Sequence, residues 1–253
     1  QNADCMQFLQ SHFLTPHAVR LVPHDFQIDL QYFVFPDETG QCSTLFVIQP
    51  EGESHPISLS VSALPIASKQ FDLCFEDLNE DDLLAQLPQG TKGKLLSVTL
   101  YRGARTFTLF FTDEPPTLTL YYYNAFNVYD TLYLTAQTKR KLSFDRSTAI
   151  CCGQSFSYDD NTEVEYESET SALSYLQAKY VTYALQSHTL FLISPDYPSG
   201  SSILITDIES ELSDATTANC SVKFRWKPVR QQPVLTFTRK RKIFNSIYNN
   251  SFD

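Results

Sequence analysis

The sequence predicts an all-β protein with mostly antiparallel strands, and three observations support this prediction. Apolar and polar residues alternate over residues 57–63, 71–76 and 106–111, and again over 118–122 and 222–226. A period of two is typical of strands that bury one face. The chain has 19 Phe and 14 Tyr but only 7 Gly, a bias towards extended structure with aromatic packing. The connections are too short for repeated helical crossovers, which favours antiparallel pairing.

Two segments break this alternation and predict helices. Residues 79–87 begin with an Asn, continue with three acidic residues and end before a proline, as short helices do. Residues 171–186 carry apolar side chains close to helical spacing and predict the one sizeable helix. We expect this helix to lie against a sheet and to bury Leu173, Leu176 and Tyr180.

The length of 253 residues is sufficient for two β-rich domains. We place the boundary within residues 113–116, because the two prolines there cannot donate hydrogen bonds to a strand ladder. The prediction is an N-terminal domain at 1–113 and a C-terminal domain at 114–253, each a sandwich or a barrel. The second domain would contain the helix and end in a basic C-terminal arm.

Cysteine usage and hydropathy bear on the compartment. The six cysteines form no C-x-x-C pair and no zinc-type Cys-His spacing, so reduced thiols are favoured over a disulfide framework. No apolar run is long enough to span a membrane, and we expect no membrane span. The chain opens on Gln1 and its only methionine is Met6, so the sequence is compatible with a signal peptide that has been removed.

No residue pattern predicts an active site or a bound group. The sequence has no G-x-S-x-G elbow, and the spacings of His12, His17 and His24 match no compact metal motif. We therefore expect no catalytic residue, no cofactor and no metal, and we predict a protein that is not an enzyme.

Charge is segregated along the second half of the chain. Residues 159–169 hold six acids and no base, whereas residues 223–242 hold eight bases and no acid. Alternate acids at 163–169 are typical of a solvated strand face, and we expect them to contact the basic arm of another copy. The candidate interaction residues are Glu163, Glu165, Glu167, Glu169, Arg239, Lys240, Arg241 and Lys242. Because the protein is acidic overall, we do not expect nucleic acid as a partner.

Two local patterns predict structural roles. Asn124, Phe126 and Asn127 belong to a predicted bend between two strands, in which Asn127 adopts positive φ and apolar neighbours anchor the bend to the core. Phe224 and Trp226 alternate with basic residues on a predicted strand. We expect both aromatic side chains in the core of the second domain.

The segments that contain these residues also carry a family resemblance. Residues 121–133 read YYYNAFNVYDTLY, residues 203–210 read ILITDIES, and residues 222–226 read VKFRW. In that order they resemble uncharacterised tail-associated structural proteins of prophages from Bacteroidales bacteria, over roughly residues 118 to 235. The family often has Gly after the Phe of the first segment, where this chain has Asn127.

The resemblance implies a virion structural protein of the tail, with a distal-tail or baseplate role by analogy. Its partners would be other copies of itself and other tail proteins, in the virion or in the bacterial cytoplasm during assembly. The alternative is a secreted or cell-surface carbohydrate-binding β-sandwich module, which the density of tyrosines favours because aromatic faces stack on sugars.

Overall fold

A computed structural model describes residues 5–36, 38, 40–66, 70–211 and 219–229. Most of these residues lie in strands, so the all-β prediction is confirmed. The helices are α1 (Cys5–Ser11), α2 (Glu80–Ala85) and α3 (Tyr175–Leu185). The strands are β1 (Val19–Pro23), β2 (Gln27–Val34), β3 (Gly40–Pro50), β4 (Ile57–Ile66), β5 (Asp72–Asn79), β6 (Gly93–Arg102), β7 (Arg105–Thr112), β8 (Leu118–Tyr123), β9 (Tyr129–Leu134), β10 (Ala136–Cys151), β11 (Gln154–Thr170), β12 (Leu190–Ser194), β13 (Tyr197–Glu211) and β14 (Ser221–Pro228).

The strands form three sheets. One has five strands in the order β1-β7-β6-β3-β4, one has seven in the order β10-β11-β14-β13-β12-β8-β9, and β2 pairs with β5. Strand β1 runs parallel to β7, with Val19 opposite Thr108 and Pro23 opposite Thr112. The other pairings with a described register are antiparallel, as predicted.

The chain divides into two compact units. The first contains residues 1–141 and 165–229, and the second contains residues 142–164 and 230–253. The boundary predicted at residue 114 falls between β7 and β8, yet strands from both sides of it belong to the first unit. The division into domains 1–113 and 114–253 stays a prediction.

One core of the first unit involves the five-stranded sheet and β2. Alternate residues of these strands point inward, which follows from the period of two in their sequences. The fully buried side chains of this cluster include Ile28, Leu30, Phe46, Val98 and Phe107.

The predicted burial of Phe224 and Trp226 is confirmed. Both side chains of β14 are fully buried. The indole stacks on Tyr166 of β11 with 4.1 Å between ring centroids, and its Nε1 donates to Ser168 Oγ at 2.9 Å. The indole thus contributes apolar area while its one donor is satisfied.

Both predicted helices form, with one correction. In α2, Asn79 caps the first turn by accepting a hydrogen bond from Asp82 N at 2.9 Å. Helix α3 starts after Ser174, which forms a capping box with Gln177. The predicted burial of two leucines was wrong: Leu176 is 72% exposed, and Leu173 precedes the helix and is only half-buried. The helix begins later than the pattern indicated, and its buried face is instead formed by Ala178, Tyr180, Val181, Ala184 and Leu185.

Helix α1 was not predicted from the sequence. Its first turn has no acidic residue, its last turn has no basic residue, and none of its seven residues is buried. Neither a capping signal nor an apolar periodicity therefore indicated this helix. None of the helices in the described residues is long and apolar enough to cross a membrane.

Candidate functional site

A buried ion pair joins the two larger sheets of the first unit. Arg20 of β1 places Nη1 2.5 Å from Asp130 Oδ1 of β9, and both side chains are 3% exposed. Arg20 Nη2 donates to Asp130 Oδ2 at 2.8 Å and to Thr15 Oγ1 at 2.6 Å. Nη1 also donates to Thr131 O at 3.1 Å. This bidentate geometry compensates two charges that would otherwise be costly to remove from water.

Two tyrosine hydroxyls extend the cluster towards helix α3. The hydroxyl of Tyr122 lies 3.5 Å from Asp130 Oδ2 and 3.2 Å from the hydroxyl of Tyr180, which donates to Thr131 O at 3.4 Å. Burial raises the pKa of both phenols above the ordinary value. Both are therefore neutral at physiological pH and available as hydrogen-bond donors.

The charged state of the cluster follows from its surroundings. Burial alone lowers the pKa of Arg20, but Tyr180 and Asp130 outweigh that effect and raise the pKa above its ordinary value. His17, whose ring lies 4.2 Å from that of Tyr180, has a pKa lowered by burial and by the charge of Arg20. The cluster thus holds a fixed ion pair beside a neutral imidazole, and we define it by Thr15, Arg20, Tyr122, Asn124, Asp130 and Tyr180 and call it the Arg20 cluster.

The predicted bend at residues 124–130 supplies the remaining contacts. Asn124 Oδ1 accepts from Phe126 N at 2.9 Å and Val128 N at 3.3 Å, and its Nδ2 donates to Leu14 O at 2.9 Å. Asn127 has φ of 57°, so the predicted left-handed residue is confirmed. Phe126 was expected to anchor the bend to the core, but it does not reach the core. It is partly exposed and stacks on Phe8 of α1, with 5.4 Å between ring centroids.

The Arg20 cluster was missed at the sequence level, although one signal for it exists. Arg20 is the first basic residue of the chain, and the next is Lys69. Arg20 lies in the short apolar strand β1, in which residues 19–22 alternate between exposed and buried. A lone charge on the buried face of a strand requires a partner, but only the fold identifies Asp130 as that partner.

A groove of about 590 Å³ lies beside this cluster. Strands β1 and β9, helix α3 and the segment before α3 line it. Four of its apolar side chains are largely exposed: Val19 (59%), Leu21 (48%), Phe110 (47%) and Leu176 (72%). We call this feature the β1 groove. Exposed apolar side chains grouped in a concave surface are typical of a binding site.

A second surface consists of aromatic rings on strands β8, β9 and β12. Tyr121 stacks on Tyr129 with 5.7 Å between ring centroids, Tyr123 packs edge-on against Tyr129 at 5.4 Å, and Phe191 lies 6.5 Å from Tyr121. We call these four residues the tyrosine face. Tyr123 also lines a hollow of about 390 Å³ that contains polar side chains, among them Asn127, Gln186 and His188.

The alternate acids Glu163, Glu165, Glu167 and Glu169, which we call the acidic ladder, are partly neutralised by basic side chains of the same chain. Glu167 places Oε2 2.5 Å from Lys141 Nζ and Oε1 3.1 Å from Lys223 Nζ, with Arg225 Nε at 3.6 Å. Hydrogen bonds from Lys141 and Lys223 lower the pKa of Glu167 to about 2. Glu163 and Glu169 are exposed and Glu165 is half-buried. Arg239, Lys240, Arg241 and Lys242 lie outside the described residues.

Two of the longest strands, β10 and β11, continue into the second unit as a two-stranded ribbon, which we define as residues 142–164. The turn at its tip has φ of 52° at Cys152 and 76° at Gly153, as a two-residue hairpin requires. Cys152 therefore lies in the turn. Leu142, Phe144 and Ile150 share one face of β10 and are 61%, 48% and 79% exposed.

The structure does not bring the N-terminal histidines together. His12 bonds to Ser11, His17 lies on Tyr180, and His24 places Nδ1 2.8 Å from Glu80 Oε1. The part of the chain that the structure describes contains no group of three or more His, Cys, Asp or Glu residues placed to hold a metal ion.

No protein-family model matches the chain, and a search of curated proteins finds no match.

Proposed function

We propose that the chain is a non-enzymatic structural component of a bacteriophage or prophage tail that acts through protein–protein contacts. The observation that carries the proposal is the ribbon. An isolated two-stranded hairpin is marginally stable in water, and this one exposes Leu142, Phe144 and Ile150 on a single face. Side chains of this kind on a narrow ribbon are accounted for when another protein covers them.

The rest of the molecule supports the proposal. The Arg20 cluster fixes the bend at residues 124–130, and Trp226 anchors β14; both elements belong to the segments that resemble tail-associated proteins. In this interpretation those segments maintain a rigid scaffold, and contacts with partners are made by the ribbon. The expected location is the virion tail, or the bacterial cytoplasm during assembly.

The test uses a bacterial strain that carries the gene within an inducible prophage. Tailed particles are purified after induction, and their proteins are identified and counted by mass spectrometry. We expect the chain at a fixed copy number per particle. Its absence from purified particles that contain the other virion proteins would contradict the proposal.

A ribbon variant adds a structural control to the same test. Replacement of Leu142, Phe144 and Ile150 by Ser should leave the fold intact, because all three are exposed, and should remove the chain from the particles. The matched control replaces Ser143 and Ala149 on the opposite face of β10 by Thr and Ser. A control variant excluded as strongly as the ribbon variant would argue against the apolar face as the contact.

Carbohydrate binding is a second candidate function, and the tyrosine face favours it. Exposed rings next to amide and imidazole groups are the combination that stacks on a sugar ring and bonds its hydroxyls. Calorimetry with neutral oligosaccharides provides the test, with Tyr123→Ala and Tyr129→Ala as site variants and Tyr101→Ala, an exposed tyrosine of β6, as the control. Unchanged binding in the site variants would exclude the tyrosine face.

A further inference from the structure

We infer that residues 230–238, which follow β14 and lie outside the described residues, extend that strand and pair with the open edge of β11 in the ribbon of the same chain. We call this segment the C-terminal strand. The chain thereby completes its own ribbon as a three-stranded sheet. The inference does not depend on the proposed tail role, because it concerns the edge of β11 and not the apolar face of β10.

The ribbon has a main-chain edge that the described residues leave open. Strand β11 runs from Gln154 to Thr170, but within the described residues β14 pairs with it only from Tyr166 to Glu169. In that part of the chain, residues 154–163 have β10 on one side and no strand on the other. A hairpin of two strands is marginally stable in water, whereas a third strand adds main-chain hydrogen bonds along the open edge.

The direction of β14 identifies the segment that can fill this edge. Strand β14 is antiparallel to β11, with Trp226 opposite Tyr166, so it runs towards the ribbon and ends beside its base. Continuation of this register places Val229 opposite Glu163. The nine residues of the C-terminal strand then lie opposite the nine residues that precede Glu163 in β11. No connecting loop is needed, because the added strand is a direct extension of β14.

The position of the proline in this segment is compatible with the pairing. Val229 donates its N–H to Ser202 O of β13 at 2.9 Å, so odd-numbered residues of the extended strand direct their main-chain groups towards β13 and even-numbered residues towards β11. Pro233 is odd-numbered, and its missing N–H therefore removes no donor from a ladder with β11. The residues after it, 234–238, read VLTFT and favour strands.

Charge and tethering favour the segment of the same chain. The ribbon has four acidic residues and one basic residue, a net charge of −3, whereas residues 230–253 have five basic residues and one acidic residue, a net charge of +4. Opposite charge attracts the segment to the ribbon. Two whole copies, each with net charge −10, repel each other. Because the segment is joined directly to β14, its effective concentration at the ribbon is on the order of millimolar.

The test places proline at two adjacent glutamines of the full chain. Gln232→Pro removes an N–H that faces β11 in the proposed pairing, and Gln231→Pro, the matched control, removes one that faces away. Amide hydrogen exchange followed by NMR reports on residues 154–162 one at a time. Fluorescence of Trp226, which is buried in β14, verifies that the first unit remains folded in each variant.

In the natural chain we expect slow exchange at the β11 amides that point away from β10. Gln232→Pro should accelerate their exchange about tenfold or more, and Gln231→Pro should change it less than about twofold. Free exchange of these amides in the natural chain, or equal effects of the two variants, would overturn the inference. Protection that appears only at high protein concentration, together with dimers in sedimentation, would also overturn it, because a second copy would then supply the strand. The presence of the chain in particles tests the tail role separately.

Discussion

Two ion-pair clusters can be compared: the Arg20 cluster, and Glu167 with the basic side chains around it. Their cations differ in exposure to water. Arg20 and Asp130 are removed from water and every oxygen of the carboxylate is paired with a donor. Glu167 is surrounded by Lys141, Lys223 and Arg225, whose side chains are 53%, 36% and 39% exposed. The side chains of Asp130 and Glu167 are 3% and 11% exposed, so the two clusters differ mainly in whether their cations reach water, and we expect the pair with the buried cation to contribute more to stability.

The largest expected effect is on the buried pair. Asp130→Ala leaves the guanidinium of Arg20 without its counter-charge and should lower the free energy of unfolding by about 3–5 kcal/mol. Urea denaturation followed by tryptophan fluorescence measures this loss. The double variant Arg20→Met, Asp130→Leu should lose less than Asp130→Ala, because no unpaired charge remains buried. A loss below about 1 kcal/mol for Asp130→Ala would mean that the buried pair contributes no more to stability than an exposed ion pair does.

The tyrosine hydroxyls of the cluster should have a smaller effect. Tyr180→Phe removes a buried donor and leaves Thr131 O and the Tyr122 hydroxyl with one partner fewer. We expect a loss of about 1–2 kcal/mol in the free energy of unfolding. Tyr123→Phe, in an exposed residue of the tyrosine face, is the control and should change stability by only a few tenths of a kcal/mol. Equal effects of the two variants would show that burial of the hydroxyl is irrelevant.

The bend that carries Asn124 and Asp130 offers a backbone test. Asn127→Val places a β-branched residue at φ of 57° and should cost about 1–2 kcal/mol, whereas Asn127→Gly should be tolerated. Thermal unfolding of the two variants gives the comparison. If Val and Gly are equally stable, the left-handed conformation is not required by the bend.

The smallest effect is expected at Glu167, whose basic partners are exposed to water, and its pH dependence distinguishes it from the buried pair. The pKa of Glu167 is lowered in the fold from 4.5 to about 2, so its contribution is present above pH 4.5 and is lost as pH falls towards 2. Glu167→Gln should therefore lower the free energy of unfolding slightly at pH 7 and leave it unchanged at pH 2. Urea titrations at pH 7, 4 and 2 measure the difference, which 1 M salt should also reduce. A cost that grows as pH falls would contradict the assigned direction.

Local patterns allowed much of the fold to be predicted. The alternation at 222–226 placed Phe224 and Trp226 inside, and the Asn residues at 124 and 127 indicated the bend, because these signals are contained in a few neighbouring residues. The burial of Leu176 was predicted wrongly because the helical pattern was taken to begin at residue 171. Helix α3 begins at Tyr175, and Leu176 lies in its exposed first turn. Leu173, assigned to the same helix, instead forms a bridge with Cys220.

The candidate surfaces could not be predicted in the same way. Arg20 and Asp130 are 110 positions apart, and no local pattern connects them. The β1 groove brings Leu21 of β1 next to Phe110 of β7 and Leu176 of α3, residues that become neighbours only through the sheet order. The acidic ladder was recognised from its spacing, but its internal partner Lys223 depends on the register of β11 against β14.

The parallel pairing of β1 with β7 has a consequence for how the protein folds. Val19 meets Thr108, and Arg20 meets Asp130. These contacts have high contact order, and closing such long loops is typical of slow, millisecond-to-second folding. On the ribosome, about 110 further residues are made before Asp130 can meet Arg20, roughly 5–20 s at ~5–20 residues per second. During that interval Val22 of β1, which is buried in the folded protein, lacks the strands that it packs against.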